Sequence, residues 1–170
     1  MKKFVVLLIV VVMSFTLVAC NNTSQEPITP SHLSGFNFVY NEDDDTIWLG
    51  MSQTEVEQFG TFVISTRDDG RLMLSGEGLH ITLDDDTNIY SIMSSPVSNY
   101  WFIPGGITVG TDAQVAERVF DMDYVDSTET SIRAWFAYDH TPISRMEENR
   151  AYAVVIIISD SAISSFLLTR

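Results

Sequence analysis

One cysteine, Cys20, is all the thiol this 170-residue chain possesses, so no disulfide within the chain can staple its fold. Positive charge is scarce as well: 9 Lys+Arg stand against 23 Asp+Glu, a formal charge of −14. Such a surface repels phosphate backbones and excludes nucleic acid as a natural partner. The three histidines, His32, His80 and His140, are dispersed, with no His-x-x-x-His or Cys/His spacing on which zinc could be held. No serine sits in a Gly-x-Ser-x-Gly context, so Asp139-His140 is at most half of a catalytic pair. Gly76, Gly78, Gly105 and Gly106 lack a phosphate-loop lysine and read as turns. Asp84, Asp86 and Asn88 have the spacing of the first three calcium-loop ligands. Ile89 replaces the required glycine and Ser95 the final glutamate, so the run reads as a charged turn, as does Asn41–Asp45. No catalytic residue, metal ligand or cofactor is nominated.

Long apolar runs are rare too, and the most prominent is at the start. Lys2 and Lys3 precede Phe4–Met13, an unbroken apolar stretch too short to span a membrane comfortably, and Leu17-Val18-Ala19-Cys20 follows. The order of charge, apolar core and small residue before cysteine resembles the signal and lipobox of bacterial lipoproteins. That resemblance implies that residues 1–20 are a signal, with Cys20 lipidated (palmitate-type acylation) as the first mature residue. An uncleaved anchor, or cleavage after Ala19 with an incidental cysteine, are the alternatives. Removing residues 1–20 takes away two lysines and no acid, leaving 7 Lys+Arg against 23 Asp+Glu and a formal charge of −16. Attachment must then come from acyl chains and not from a basic patch. Residues 21–35, with Pro27, Pro30 and small polar residues, read as a flexible tether.

From Phe36 onward the pattern is one of strands and short helices. Phe36, Phe38 and Tyr40 fall on one side of a half-buried strand. Ser52-Gln53-Thr54-Glu55 is a capping box opening a two-turn helix that stops at Gly60. Asp69-Gly70 and Asp84–Asn88 mark two hairpins, built from 61–65 with 71–74 and from 79–83 with 89–93. The second half repeats the order: Tyr100–Ile103, then Ile107–Gly110 in register with Ile47–Gly50, then a helix start capped by Thr111 or Asp112. A strand follows at 133–138, and a hairpin from 152–159 and 163–168 closes the chain. The expected fold is α+β, with two tandem repeats, 36–98 and 99–170, each a short helical segment packed on an antiparallel β-sheet.

The stretch Leu49-Gly50-Met51-Ser52, with Glu55, Val56 and Gly60, resembles the repeat of the β-lactamase inhibitor protein and of the small lipoprotein of the barrel-assembly machine. These positions are caps and packing, so the resemblance implies architecture; inhibitor binding or barrel assembly does not transfer with them.

Aromatic residues suggest where a partner would bind. Alternation in 133–139 groups Ala134, Phe136 and Tyr138 toward the core and leaves Trp135 with Arg133 on the polar side. Val154–Ile158 is apolar at every position, as in a strand buried on both faces. Tyr100 and Trp101 lie at the junction of the repeats. Tyr100, Trp101 and Trp135 are therefore the candidate partner-binding residues. The expectation is a lipid-anchored protein on the extracytoplasmic face of the cell membrane, binding an envelope protein and not an enzyme. A small-ligand or hydrolytic protein using Asp139, His140 or an acidic loop is the rival, and a structural assembly subunit is a third option.

Overall fold

The computed structural model describes residues 35–98, 100–120, 125–137, 139–144 and 150–170. The signal segment, Cys20, His32, Tyr138 and all but the last residue of the tether lie outside them.

Asn41 makes the first chain reversal. Its Oδ1 accepts the amides of Asp43 and Asp45 at 3.0 and 2.9 Å, so the acidic run serves as a turn. The turn joins β1 (Phe38–Tyr40) to β2 (Thr46–Trp48) in an antiparallel pair, with Val39 opposite Ile47 and both fully buried. The phase of β1 is thus opposite to expectation: Asn37 and Val39 turn inward, while Phe36, Phe38 and Tyr40 are half-buried. The rings pack on one another instead. Tyr40 stacks on Phe102 at 5.6 Å and lies 6.3 Å from Phe38, sheltering aromatic area outside the core.

Among the described residues, two short helices punctuate the chain. At the start of α1 (Gln53–Val56), the Glu55 carboxylate accepts both the amide and the hydroxyl of Ser52, at 2.9 and 2.6 Å. A 3₁₀ turn, Glu57–Phe59, completes it. For α2 (Ala113–Val119) the cap is Asp112, whose carboxylate accepts the Gln114 amide at 2.8 Å. Thr111 turns its hydroxyl to the Thr108 amide, which settles the ambiguity in the sequence.

Every other element of size among the described residues is strand. β3 (Val63–Thr66) and β4 (Leu72–Gly76) flank Asp69-Gly70, and β5 (Leu79–Leu83) and β6 (Ile89–Ser94) flank the Asp84 turn, as expected. Asp84 Oδ1 accepts the amides of Asp86 and Asn88 at 3.1 and 2.8 Å, so its carboxylate shapes the turn. The later strands are β7 (Val125–Thr128), β8 (Ser131–Ala137), β9 (Pro142–Ile143), β10 (Arg150–Ser159) and β11 (Ala162–Thr169). They form one antiparallel sheet in the order β3-β4-β5-β6-β11-β10-β8-β7, with β9 added beside β8.

This corrects the expected fold class. The protein is β-rich; it is not an α+β fold of two repeats, each a helical segment on its own sheet. The helices have four and seven residues, and each contributes one fully buried side chain, Val56 and Ala116. Helices that short cannot form a layer over nine strands. The sheet's inner face, with Leu74, Ile81, Ile92, Phe166 and Ile156, shares one core with Val39, Ile47, Leu49 and Met51 around the β1-β2 hairpin and with Ile103 and Ile107 of an irregular segment. That segment reverses at Gly105 (φ +88), where a Cβ would stand 2.6 Å from Val119 of α2, so glycine allows both the turn and the close approach.

Candidate functional site

The structure separates the three aromatic residues expected to bind a partner. Tyr100 is 68% exposed, but Trp101 is only 3% exposed. The Trp101 indole Nε1–H donates to the Glu77 carbonyl at 2.7 Å, and its own carbonyl accepts the Thr108 hydroxyl at 2.8 Å. Trp101 is thus a core residue that ties the β4-β5 turn to the irregular segment, and no partner can reach its ring. Trp135 is half-buried on the face of β8 away from the core, as its alternation with Ala134 and Phe136 requires. In the sheet, β11 and β10 lie between its strand and β6.

That outer face has a legible order. Directly opposed residues in an antiparallel sheet share a face. Pairing carries one row from Val63 through Ser75, His80, Met93, Leu167 and Val155 to Arg133 and Asp126. Its centre is apolar: Met93 is 39% exposed and Leu167 and Val155 are half-buried. Ile157, two residues beyond Val155, is also 39% exposed. The continuous apolar run of β10 is therefore not buried on both sides. Tyr152, Val154 and Ile156 enter the core, Ala153, Val155 and Ile157 face outward, and Ala151, at the bulge between Arg150 and Tyr152, packs against the core.

A cleft of about 720 Å³ opens beside that face, where Trp135 shares an adjoining hollow with Arg150 and Arg170. It is lined by Asn37, Trp48, Leu49, Gly50, His140, Arg150, Ala151, Tyr152 and Arg170. Tyr152 forms its floor, its ring stacked 5.0 Å from Phe136 at an interplanar angle of 10°. The phenol oxygen accepts the Phe36 amide at 3.3 Å and lies 3.1 Å from His140 Nδ1. His140 sits in the left-handed region (φ +65). Its neighbour Asp139 does not form a pair with it: the Asp139 carboxylate accepts the Thr141 hydroxyl at 2.7 Å and amide at 3.1 Å. These bonds hold the Asp139 carboxyl below the usual carboxylate range. The histidine that the sequence could match only to Asp139 is therefore paired with a tyrosine twelve residues on. Trp48, Arg150, Tyr152 and Arg170 had carried no sequence signal, because the cleft draws them from β2, β10 and the end of β11.

Burial pushes the Tyr152 phenol up to about 12, with the Phe36 amide opposing the rise. A folded pKa above the ordinary tyrosine value of 10.0 means that the neutral phenol stabilises the fold below pH 10, and that this contribution is lost as pH rises from about 10 through 12. Tyrosinate absorbance should therefore show a late step near pH 12 that Tyr152→Phe removes. Complete titration of every phenol by pH 11 would contradict the buried environment.

No protein-family model matches the chain, and comparison with curated proteins and with solved structures gives no match to either.

Proposed function

We propose that this is a lipid-anchored protein of the bacterial cell envelope, held to the membrane on its extracytoplasmic face through Cys20, and that it binds an envelope protein through the outer face of its sheet. One observation carries the binding surface: the row through Met93, Leu167 and Val155 leaves a strip of apolar side chains open to solvent at the centre of an eight-strand path, with Trp135 beside it. Contiguous exposed apolar area of this kind is uncommon on a monomer with no partner, and aromatic residues are enriched where partners dock. The anchor reading is supported by Lys2 and Lys3, the apolar run 4–13 and the Val18-Ala19-Cys20 ending. The acidic domain lacks a basic patch large enough to hold it on anionic lipid.

One experiment tests both parts. Full-length protein is expressed in a bacterial envelope, cross-linked and recovered from membranes, beside Trp135→Ala and Cys20→Ala. The expected result is that Trp135→Ala loses its cross-linked partner while its thermal midpoint stays within a few degrees, because Trp135 lies outside the core cluster. Cys20→Ala should move to the soluble fraction. Unchanged cross-linking by Trp135→Ala sinks the docking surface, and membrane retention of Cys20→Ala favours the uncleaved anchor.

A further inference from the structure

Beyond residue 3 the chain contains no lysine, so arginine supplies all the fixed positive charge of the folded region. Two of these arginines are held by their own surroundings. Arg67 lies 3.6 Å from the Asp69 carboxylate, and the Arg71 guanidinium sits 4.3 Å over the Tyr90 ring. Arg150 and Arg170 are placed differently. Both line the 720 Å³ cleft, at the start of β10 and just past the end of β11, together with His140. Arg170 donates one Nη2–H to the Leu49 carbonyl at 3.1 Å, which fixes its guanidinium beside Gly50. Gly50 has φ +95, and a Cβ there would stand 2.2 Å from that nitrogen. Arg150 is exposed and makes no ion pair among the described residues. Among the described residues, no aspartate or glutamate side chain lines the cleft. Two guanidinium groups and an imidazole thus line one concavity, with no carboxylate side chain among its described lining residues.

The rest of the lining narrows the anion. Trp48, Leu49 and Ala151 supply an apolar wall next to the cations. The backbone amides around Gly50 are already engaged: Leu49 N bonds Asn37 O, Gly50 N bonds Ile89 O and Met51 N bonds Trp48 O. The loop therefore offers no nest of free N–H groups of the kind that phosphate sites use. Planar guanidinium forks match a carboxylate, and the apolar wall asks for a hydrophobic body attached to it. The volume suits a small molecule.

We propose that the cleft binds a small organic carboxylate, with the acid group on Arg150 and Arg170 and an apolar or aromatic body against Trp48 and Leu49. The cleft adjoins Trp135, which shares a second hollow with Arg150 and Arg170, but it takes none of Met93, Leu167 or Val155, so Arg150→Gln and Trp135→Ala test the two readings separately. Titration of the full-length protein in detergent, followed by calorimetry and by the indole NMR signal of Trp48, tests it with N-acetyl-phenylalanine as probe. The acid should bind, and its uncharged amide should bind about tenfold more weakly or not at all. Arg150→Gln should weaken the acid about tenfold at an unchanged thermal midpoint, since the side chain is exposed, and His140→Gln should weaken it less. Equal binding of acid and amide, no binding of either, or indifference to Arg150→Gln overturns the proposal. So does tighter binding of inorganic phosphate than of the acid. Binding confined to a peptide ending in a free phenylalanine carboxylate overturns the small-molecule assignment.

Discussion

Trp101→Ala should lower the thermal midpoint by on the order of 10 °C or more, with a loss of about 3–5 kcal/mol in denaturant unfolding. The side chain is 3% exposed and belongs to the single core cluster, so truncation leaves a cavity lined by residues of the sheet and of the irregular segment. A second cost is polar. The indole N–H donates to the Glu77 carbonyl at 2.7 Å, and its removal takes this bond from the β4-β5 turn. Trp101→Phe separates the two effects: it keeps most of the ring and should cost about 1–3 kcal/mol, chiefly through the lost hydrogen bond. A midpoint for Trp101→Ala within a degree or two of the unsubstituted protein would mean that the ring is on the surface after all. Trp135→Ala serves as the internal comparison, because that ring is half-buried on the opposite face.

Phe166→Ala should be at least as damaging, about 3–5 kcal/mol. Phe166 is fully buried on β11, the strand that joins β6 to β10, so its cavity opens where the two sides of the sheet meet. Its amide also donates to the buried Ser94 hydroxyl at 2.9 Å, a bond between strands 72 residues apart. Backbone relaxation around a truncated Phe166 would strain that contact. Ser165, the preceding residue, points to the outer face opposite Ile157, and Ser165→Ala should stay within about 0.5 kcal/mol. Equal urea midpoints for the two variants would remove the inside-outside assignment of β11.

The local devices were legible in the sequence because each depends on neighbours a few residues away. Ser52 and Glu55 meet across one turn, Asp69-Gly70 closes one hairpin, and Asp84 caps its own loop. The alternation that sends Phe136 inward and Trp135 outward is equally local. Errors arose where a residue's fate depends on what covers it. Phe36, Phe38 and Tyr40 form an apolar stripe, yet the buried face is that of Asn37 and Val39, because rings from other segments, Phe102, Phe120 and Phe136, supply neighbours for the aromatic side. Trp101 sits among loop-like residues, and nothing within ten positions reveals that Glu77 is its partner. The helix start at Thr111 or Asp112, another local device, was legible, but the seven-residue helix that follows buries only Ala116 fully. The cleft was invisible for the same reason: His140, Arg150 and Arg170 are spread over thirty residues, and only strand order and the Leu49 carbonyl bring them together.

The position of β11 also governs the order in which the protein can assemble. It follows every other strand of the sheet in the chain, yet it lies in the interior, paired with β6 on one side and β10 on the other. A chain emerging from its N-terminal side can form the β3–β6 meander early, but β6 has one open edge until residues 162–169 arrive. Those pairings span more than seventy residues, which places the protein among slow, high-contact-order folders. Such a chain stays incompletely folded until its last strand is available, a state exposed to edge-to-edge misassembly if that strand is delayed.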